Sequence, residues 1–357
     1  MADFRSYQTA RRAPAKAMET VVDPAAWTPD MLADVETFTY RLNARDADEL
    51  VAGAAAFRRH GLPIEEVRRD NFPLDAFATV LADVKRELIE GRGIVMLRGF
   101  PLDRLDREGQ AIAYLGLGAY LGAAMSQNKQ GHILGHVKDL GGDYEDPLTR
   151  GYMTRAEMRF HSDACDYVGL LCLQPAKSGG ASRVASSVTV YNRMLERRPD
   201  LAQALCADWY RSRSGEMNPG DAPWIKSPIF CFHEGYFSAL GLGAAVDKAY
   251  KLPGVPPMTA AQKEAIELYR ATVEESAADM DFQPGDIQFL NNFVTLHTRR
   301  GYEDWPEPAR KRHLLRLWLR DPLSRPLPNE IREGRTGRGV HLAGVKLIAP
   351  LDVEAAA

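Results

Sequence analysis

The sequence predicts an α+β fold, in which a mainly helical N-terminal stretch precedes a sheet-rich barrel or sandwich. Three observations predict it. Between Asp23 and Glu90 apolar residues recur at three- and four-residue steps, the period of helices with one buried face. Beyond about residue 125 the texture changes to short apolar runs cut by Gly, Pro, Asn and Asp, as strands and their turns read. A chain of 357 residues, 45% of them hydrophobic, can fill one large core, because barrels and sandwiches with helical additions reach this length as one unit. A single domain over 1–357 is therefore expected, with 1–90 a helical extension and 91–320 the sheet core.

Taken in order, "LADVETFTYRLNARDADELVAGAAAFRRH" (32–60) and "PLDAFATVLADVKRELIEG" (73–91) carry the helical pattern, and Gly91 closes the second segment as a helix stop. "GIVMLRGFPLD" (93–103) is a β-branched apolar run ended by Gly99 and Pro101, which reads as a buried strand. A helix over 107–122 contains Gly116, Gly118 and Gly122. Those glycines lie inside the helix and not in a strand-to-helix turn, where a phosphate cradle needs them, so they point to close helix packing. Strands are expected at 132–138, 167–174, 183–190, 228–238, 286–291 and 313–320, with one helical insertion at 259–280 opened by Thr259 as N-cap.

Composition removes several classes of function. Forty-five basic residues against forty-eight acidic ones leave a formal charge of -3, so the chain has no field for holding a nucleic acid. The start, "MADFRSYQTARRAPAKAMET", has no apolar stretch behind its basic residues, and Asp3 and Glu19 argue against an organellar presequence. No apolar run reaches the ~18 residues of a membrane span. Cys165, Cys172, Cys206 and Cys231 show no CxxC spacing, so reduced, mostly buried thiols and a cytoplasmic location are expected.

Chemistry first appears in "FHSDACD" (160–166). On an extended strand His161 and Asp163 point to one face while Ser162 points to the other. Alone the pair is weak, since so short a motif arises by chance. A second histidine, His297, follows a turn and a strand in "FQPGDIQFLNNFVTLHTR". Two imidazoles and one carboxylate on a sheet are the facial triad of non-haem Fe(II) oxygenases, which leaves coordination positions open. Read at period two, "RKRHLLRLWLR" (310–320) puts Arg312, Leu314, Arg316 and Trp318 on one face, with His313 and three leucines on the other. A guanidinium inside a barrel suits two-pronged capture of a carboxylate, although a helix, or ion pairs on a solvated face, would use the same residues. His132 and His136 could bind metal from a helix, but their neighbours favour a strand. Asn291 and Asn292 are expected to shape the turn before His297 and orient it.

These residues resemble the taurine dioxygenase and clavaminate synthase-like superfamily of Fe(II)/2-oxoglutarate-dependent oxygenases. The likeness lies in "FHSDACDYVGLLCLQPAKSGGAS" and "PGDIQFLNNFVTLHTRRGYEDWPEPARKRHLLRLWL", and more weakly in 91–103 and 126–160. The resemblance implies a double-stranded β-helix, or jelly-roll, barrel with flanking and N-terminal helices. It implies His161, Asp163 and His297 as iron ligands, Arg312 as the clamp on the distal carboxylate of 2-oxoglutarate, and Ser182 as the hydroxyl sharing it. Ser182 stands where relatives often have Thr, which keeps the donor. Arg316 matches a position that binds an acidic substrate group in several relatives, and Gln127 and Asn128 look like pocket-lining residues.

The expected function is oxidation, by default hydroxylation, of an unactivated C–H bond in a small molecule such as an amino acid or other small carboxylate. The cofactors would be Fe(II), 2-oxoglutarate and O2, with succinate and CO2 released. Desaturation, ring closure or epimerisation would need the same cofactors. A metal-dependent hydrolase and a non-catalytic jelly-roll binding protein are the rivals from other classes. Neither nucleic acid nor membrane is an expected partner, and a homodimer through the N-terminal helices is an expectation for light scattering to test.

Overall fold

The computed structural model describes residues 12–142, 154–332, 339–340 and 342–353. The extreme N-terminal stretch and residues 143–153 of the weaker likeness lie outside the described residues. Strand β1 (Thr39–Arg41) leads into helix α1 (Ala44–Arg59), and α2 (Ala76–Glu90) leads into β2 (Ile94–Arg98). Helix α3 (Arg107–Ala119) precedes β3 (Ala123–Ala124), β4 (Leu134–Val137), β5 (Tyr167–Gln174), β6 (Ser178–Gly179) and β7 (Ser182–Ser186). Helices α4 (Ser187–Arg197) and α5 (Pro199–Leu205) are followed by β8 (Asp208–Ser212), β9 (Trp224–Pro228), β10 (Phe230–His233) and β11 (Tyr236–Ala239). Then come α6 (Ala244–Ala249), α7 (Ala260–Glu275), β12 (Ala277–Met280), β13 (Asp286–Asn291), β14 (Thr295–Arg299), β15 (Tyr302–Glu303) and β16 (His313–Arg320), with a last turn, α8, at Asn329–Arg332.

Local chemistry sets the helix ends. Asn43 accepts from the N–H groups of Arg45 and Asp46 while Asp46 reaches back to Asn43, a capping box that starts α1 and satisfies donors the helix leaves open. Thr259 and Gln262 do the same for α7. Helix α2 stops as expected at Gly91, whose N–H bonds to Glu87 O. Within α3, a methyl group at Gly116 would run into the ring of Phe72, so the glycine permits close packing.

The larger sheet runs β1-β2-β13-β5-β16-β3, with β4 also paired to β16. A smaller one runs β12-β7-β14. Alternation divides the larger sheet cleanly. Val95, Leu97, Leu171, Ile287, Phe289, Leu315, Leu317 and Leu319 share a core with the buried faces of α1, α2 and α3. Ile94, Met96, Val168, Leu290 and Trp318 instead share a core with Val184 and Met280 of the smaller sheet. Each such buried apolar side chain contributes roughly 1.5–3 kcal/mol of transfer free energy. The result is a mixed α+β fold with apolar residues of both sheets in contact.

Several stretches differ from expectation. Residues 228–238, expected as one strand, form the antiparallel hairpin of β10 and β11. Residues 187–190 are helical because the Ser186 side chain accepts from Thr189 N–H and caps α4, overriding the β-branched run. Residues 277–280 leave the helix and pair with β7. Residues 39–41 interrupt the helical pattern to pair in parallel with β2. Among the described residues no helix is long and apolar enough to cross a membrane.

Candidate active site

The residues around His161 and His297 are joined by main-chain bonds, His161 N–H to His297 O at 3.0 Å and His297 N–H to His161 O at 2.8 Å. That bridge sets the two imidazole centroids 4.4 Å apart. His297 stands on β14 opposite Val184. Asp163 is fixed by its own N–H, which donates to Asn292 Oδ1 at 2.9 Å, while Asn292 Nδ2 donates to Cys165 Sγ at 3.1 Å. Asn292 thus orients the Asp163 turn and not, as expected, His297; Asn291 bonds to Leu88 O and Phe293 N–H.

The structure brings His161, Asp163 and His297 together, their ligand atoms all within 4.8 Å of one another. His161 Nε2 lies 3.8 Å from Asp163 Oδ1, and His297 Nε2 lies 3.8 Å from Asp163 Oδ2. Atoms sharing one ion at ~2.1 Å in adjacent octahedral positions stand ~3 Å apart, so closing the set around iron needs shifts of under an ångström. His161 Nδ1 is 2.9 Å from Arg159 O, which fixes the proton there and leaves Nε2 for a metal.

Protonation suits the same purpose. Burial pushes the Asp163 carboxyl up, but Arg316, both imidazoles and the Trp318 N–H outweigh it and hold it at about 2. Burial, then the neighbouring His161, draws His297 down to about 3 against the pull of Asp163. An ionised carboxylate beside a neutral imidazole is the form that binds a divalent cation.

Trp318 was not singled out by the sequence beyond its place on the inward face. Its indole N–H donates to Asp163 Oδ2 at 2.8 Å, and Arg316 Nη1 lies 3.6 Å from the same oxygen. Arg316 Nε donates to Gln127 Oε1 at 2.8 Å, and Gln127 Nε2 donates to the carbonyls of Arg316 and Ile133. Both amide hydrogens of Gln127 are thereby committed, so it holds Arg316 in place. Asn128 Oδ1 accepts from Gln130 and His132 N–H groups and shapes its own loop.

Arg312 is 5% exposed, and among the described residues its Nη1 has no hydrogen-bond partner. Its guanidinium lies 5.3 Å over the Tyr302 ring, and burial lowers its pKa. Gly180, at φ 72°, passes so close that a Cβ would sit 3.3 Å from Arg312 Nε. Two residues on, Ser182 is buried, and among the described residues its hydroxyl makes a long 3.5 Å contact with Gln288 Oε1. A buried guanidinium with one unpartnered nitrogen is costly unless an anion arrives, so Arg312 with Ser182 is a donor set that fits a ligand carboxylate. Gln288, which meets the Ser182 hydroxyl, was missed because a lone Gln in an apolar strand carries no pattern.

A second set, His136, His313 and Asp352, also gathers within 4.8 Å, but hydrogen bonds account for it. His313 Nε2 is 2.8 Å from His136 Nδ1, His136 Nε2 is 2.8 Å from Pro350 O, and Arg107 Nη2 is 3.4 Å from His313 Nδ1. One run of protons, Arg107 to His313 to His136 to Pro350, uses both lone pairs. Lys138 occupies Asp352 at 3.1 Å.

Comparison with known proteins agrees with this geometry. Residues 59–318 match the family described as Taurine catabolism dioxygenase TauD, TfdA family. The chain is 30% identical over 326 residues to FR-33289 synthase of Streptomyces rubellomurinus, covering 89% of this chain and 95% of that protein. It is 29% identical over 308 residues to the taurine hydroxylase-like protein SAT17 of Stachybotrys chartarum, covering 83% and 78%. Among solved structures, asparagine oxygenase with Fe(II), 2S,3S-3-hydroxyasparagine and succinate superposes with a TM-score of 0.62 at 20% identity, over 79% of this chain and 93% of that one. The non-haem iron oxygenase OrfP with Fe and alpha-ketoglutaric acid gives 0.60 at 16% identity, over 80% and 95%.

Proposed function

Since the chain belongs to the taurine catabolism dioxygenase TauD, TfdA family and is thus a non-haem iron, 2-oxoglutarate-dependent oxygenase, we propose that it hydroxylates an unactivated C–H bond of a small acid, a free amino acid being the first class to try. The relatives solved with hydroxyasparagine and with (3S)-hydroxy-L-Arg support that choice. The scaffold is read as a double-stranded β-helix, because residues of the two sheets share one core. The carrying observation is the gathering of His161, Asp163 and His297 in a molecule that also buries an Arg312 Nη1 unpartnered among the described residues.

In this reading His161 Nε2, one Asp163 oxygen and His297 Nε2 would hold Fe(II), a ligand set that suits non-haem oxygenase chemistry. Arg312, with the Ser182 hydroxyl, takes the distal carboxylate of 2-oxoglutarate. When bound, iron and 2-oxoglutarate with O2 supply the oxidising power, and the cosubstrate leaves as succinate and CO2. The chain supplies position and shelter from water. Trp318 and Arg316 keep the Asp163 carboxylate turned, Gln127 keeps Arg316 turned, and Gly180 lets Arg312 reach its ligand.

Anaerobic addition of Fe(II) and 2-oxoglutarate should produce a weak visible charge-transfer band, followed in air by succinate release that rises with an accepted acid. Absence of the band in iron-loaded protein would reject the cosubstrate assignment.

A further inference from the structure

The guanidinium of Arg312 rests on a surface that takes nothing from its donors. Its Cζ lies 5.3 Å from the centre of the Tyr302 ring, within the reach at which an aromatic face attracts a cation. Tyr302 is 8% exposed, so the contact is shielded from water, the setting in which that attraction is strongest. Burial raises the pKa of the phenol above its ordinary value, and the ring stays uncharged.

Tyr302 is itself built in. It pairs with Gly179 across β15 and β6, and its N–H donates to Arg155 O at 3.2 Å. A Cβ at Gly179 would come within 3.3 Å of Tyr302 Cα, and one at Gly180 within 3.2 Å of Tyr302 Cβ and 3.3 Å of Arg312 Nε. The bend between β6 and β7 therefore packs on both residues at once. Asp304, two residues beyond Tyr302, accepts the Arg312 main-chain N–H at 2.7 Å and ties the start of β16 back to the end of β15. Arg299 also lies over the ring, 4.7 Å from its centre, but its nitrogens donate to Thr154 O at 2.9 Å and to Ala156 O. Backbone carbonyls thus secure Arg299, whereas Arg312 Nη1 has no partner among the described residues.

That difference has a chemical use. An acidic partner would neutralise a guanidinium and occupy the fork that a ligand carboxylate needs, while a π face attracts the charge and leaves the N–H groups free. We propose that Tyr302 is a positioning residue of the cosubstrate site, its ring holding the Arg312 guanidinium in place with donors left open to the distal carboxylate of 2-oxoglutarate. This role rests on the reading of Arg312 as the clamp for that carboxylate.

The test titrates full-length protein anaerobically with Fe(II) and then with 2-oxoglutarate, followed by the charge-transfer band. Y302L should bind 2-oxoglutarate about tenfold or more weakly than wild type with Fe(II) affinity unchanged, and Y302F, which keeps the ring, should stay within about threefold of wild type. Y302L binding like wild type, Y302F as weak as Y302L, or a parallel fall in Fe(II) affinity overturns the proposal. R312A separates the two readings: if it binds 2-oxoglutarate like wild type, the clamp itself is rejected, whereas a loss in R312A with none in Y302L removes only the role of Tyr302. Should Y302L fail to fold, pentafluorophenylalanine in place of Tyr302 keeps a ring and reverses the charge of its face; it should bind 2-oxoglutarate more weakly than Y302F, and equal affinity overturns the proposal.

Discussion

Asp163 divides its two oxygens between two tasks. Oδ2 receives the Trp318 N–H at 2.8 Å and faces Arg316, so the carboxylate cannot swing freely beneath a metal. Trp318→Phe removes the donor and keeps most of the packing. Fe(II) affinity should fall about 10–100-fold, the usual effect of losing a partner of a metal ligand, with little change in melting temperature; anaerobic iron titration checks it, and unchanged affinity would discard the orienting role. For Arg312→Ala the expected outcome is the converse, lost 2-oxoglutarate affinity with iron binding retained, read by the charge-transfer titration. His161 and Asp163 were legible from their spacing, although the expected strand is not there: His161 makes an isolated bridge to His297 and Asp163 stands in the turn that follows, before β5 begins. Trp318 was not, since an inward aromatic at period two reads as core.

At the scale of elements, legibility followed how much each segment depends on its neighbours. Strands β5, β13 and β16 run over Tyr167–Gln174, Asp286–Asn291 and His313–Arg320, the ranges expected, because each is a long apolar run between turn residues. Ala277–Met280 has helix-favouring residues and becomes a strand only because β7 offers an open edge, which no local pattern announces. The bend between β6 and β7 carries its own prediction. Gly180 has φ 72°, with Arg312 Nε 3.3 Å from its missing Cβ, so Gly180→Ala meets both backbone strain and a displaced guanidinium. It should weaken 2-oxoglutarate binding while leaving iron binding intact, and equal cosubstrate affinity in the two proteins would show that the close approach is dispensable.

Across the whole molecule, buried neutral imidazoles make acid the natural denaturant. Burial, with neighbouring charges, draws His297 and His313 each to about 3, below the ordinary value near 6.5. Between those values the unfolded chain binds protons that the folded one refuses, so stability rises with pH and is lost as pH falls from about 6.5 toward 3. The slope is at most about 1.4 kcal/mol per pH unit for each imidazole. Asp163, held at about 2, adds its loss only below about 4. Urea midpoints of metal-free protein across this range should show the slope, and His313→Asn should flatten it; a midpoint independent of pH would contradict both assignments.

The stretch from Gly339 to Asp352 has a consequence for how the sheet ends. Gly339 N–H bonds to Ala164 O and Val340 N–H to Ser126 O; further on, Ile348 exchanges main-chain bonds with Gly131 and Ile133. Pro350 O then meets His136, and Asp352 meets Lys138. Uncovered margins of β-structure invite other chains to add themselves. Cutting the chain after residue 338 should therefore yield material that self-associates in light scattering even with iron present. Those last residues act as a hem sewn along the fabric, and a trimmed version of the enzyme would fray from that side first.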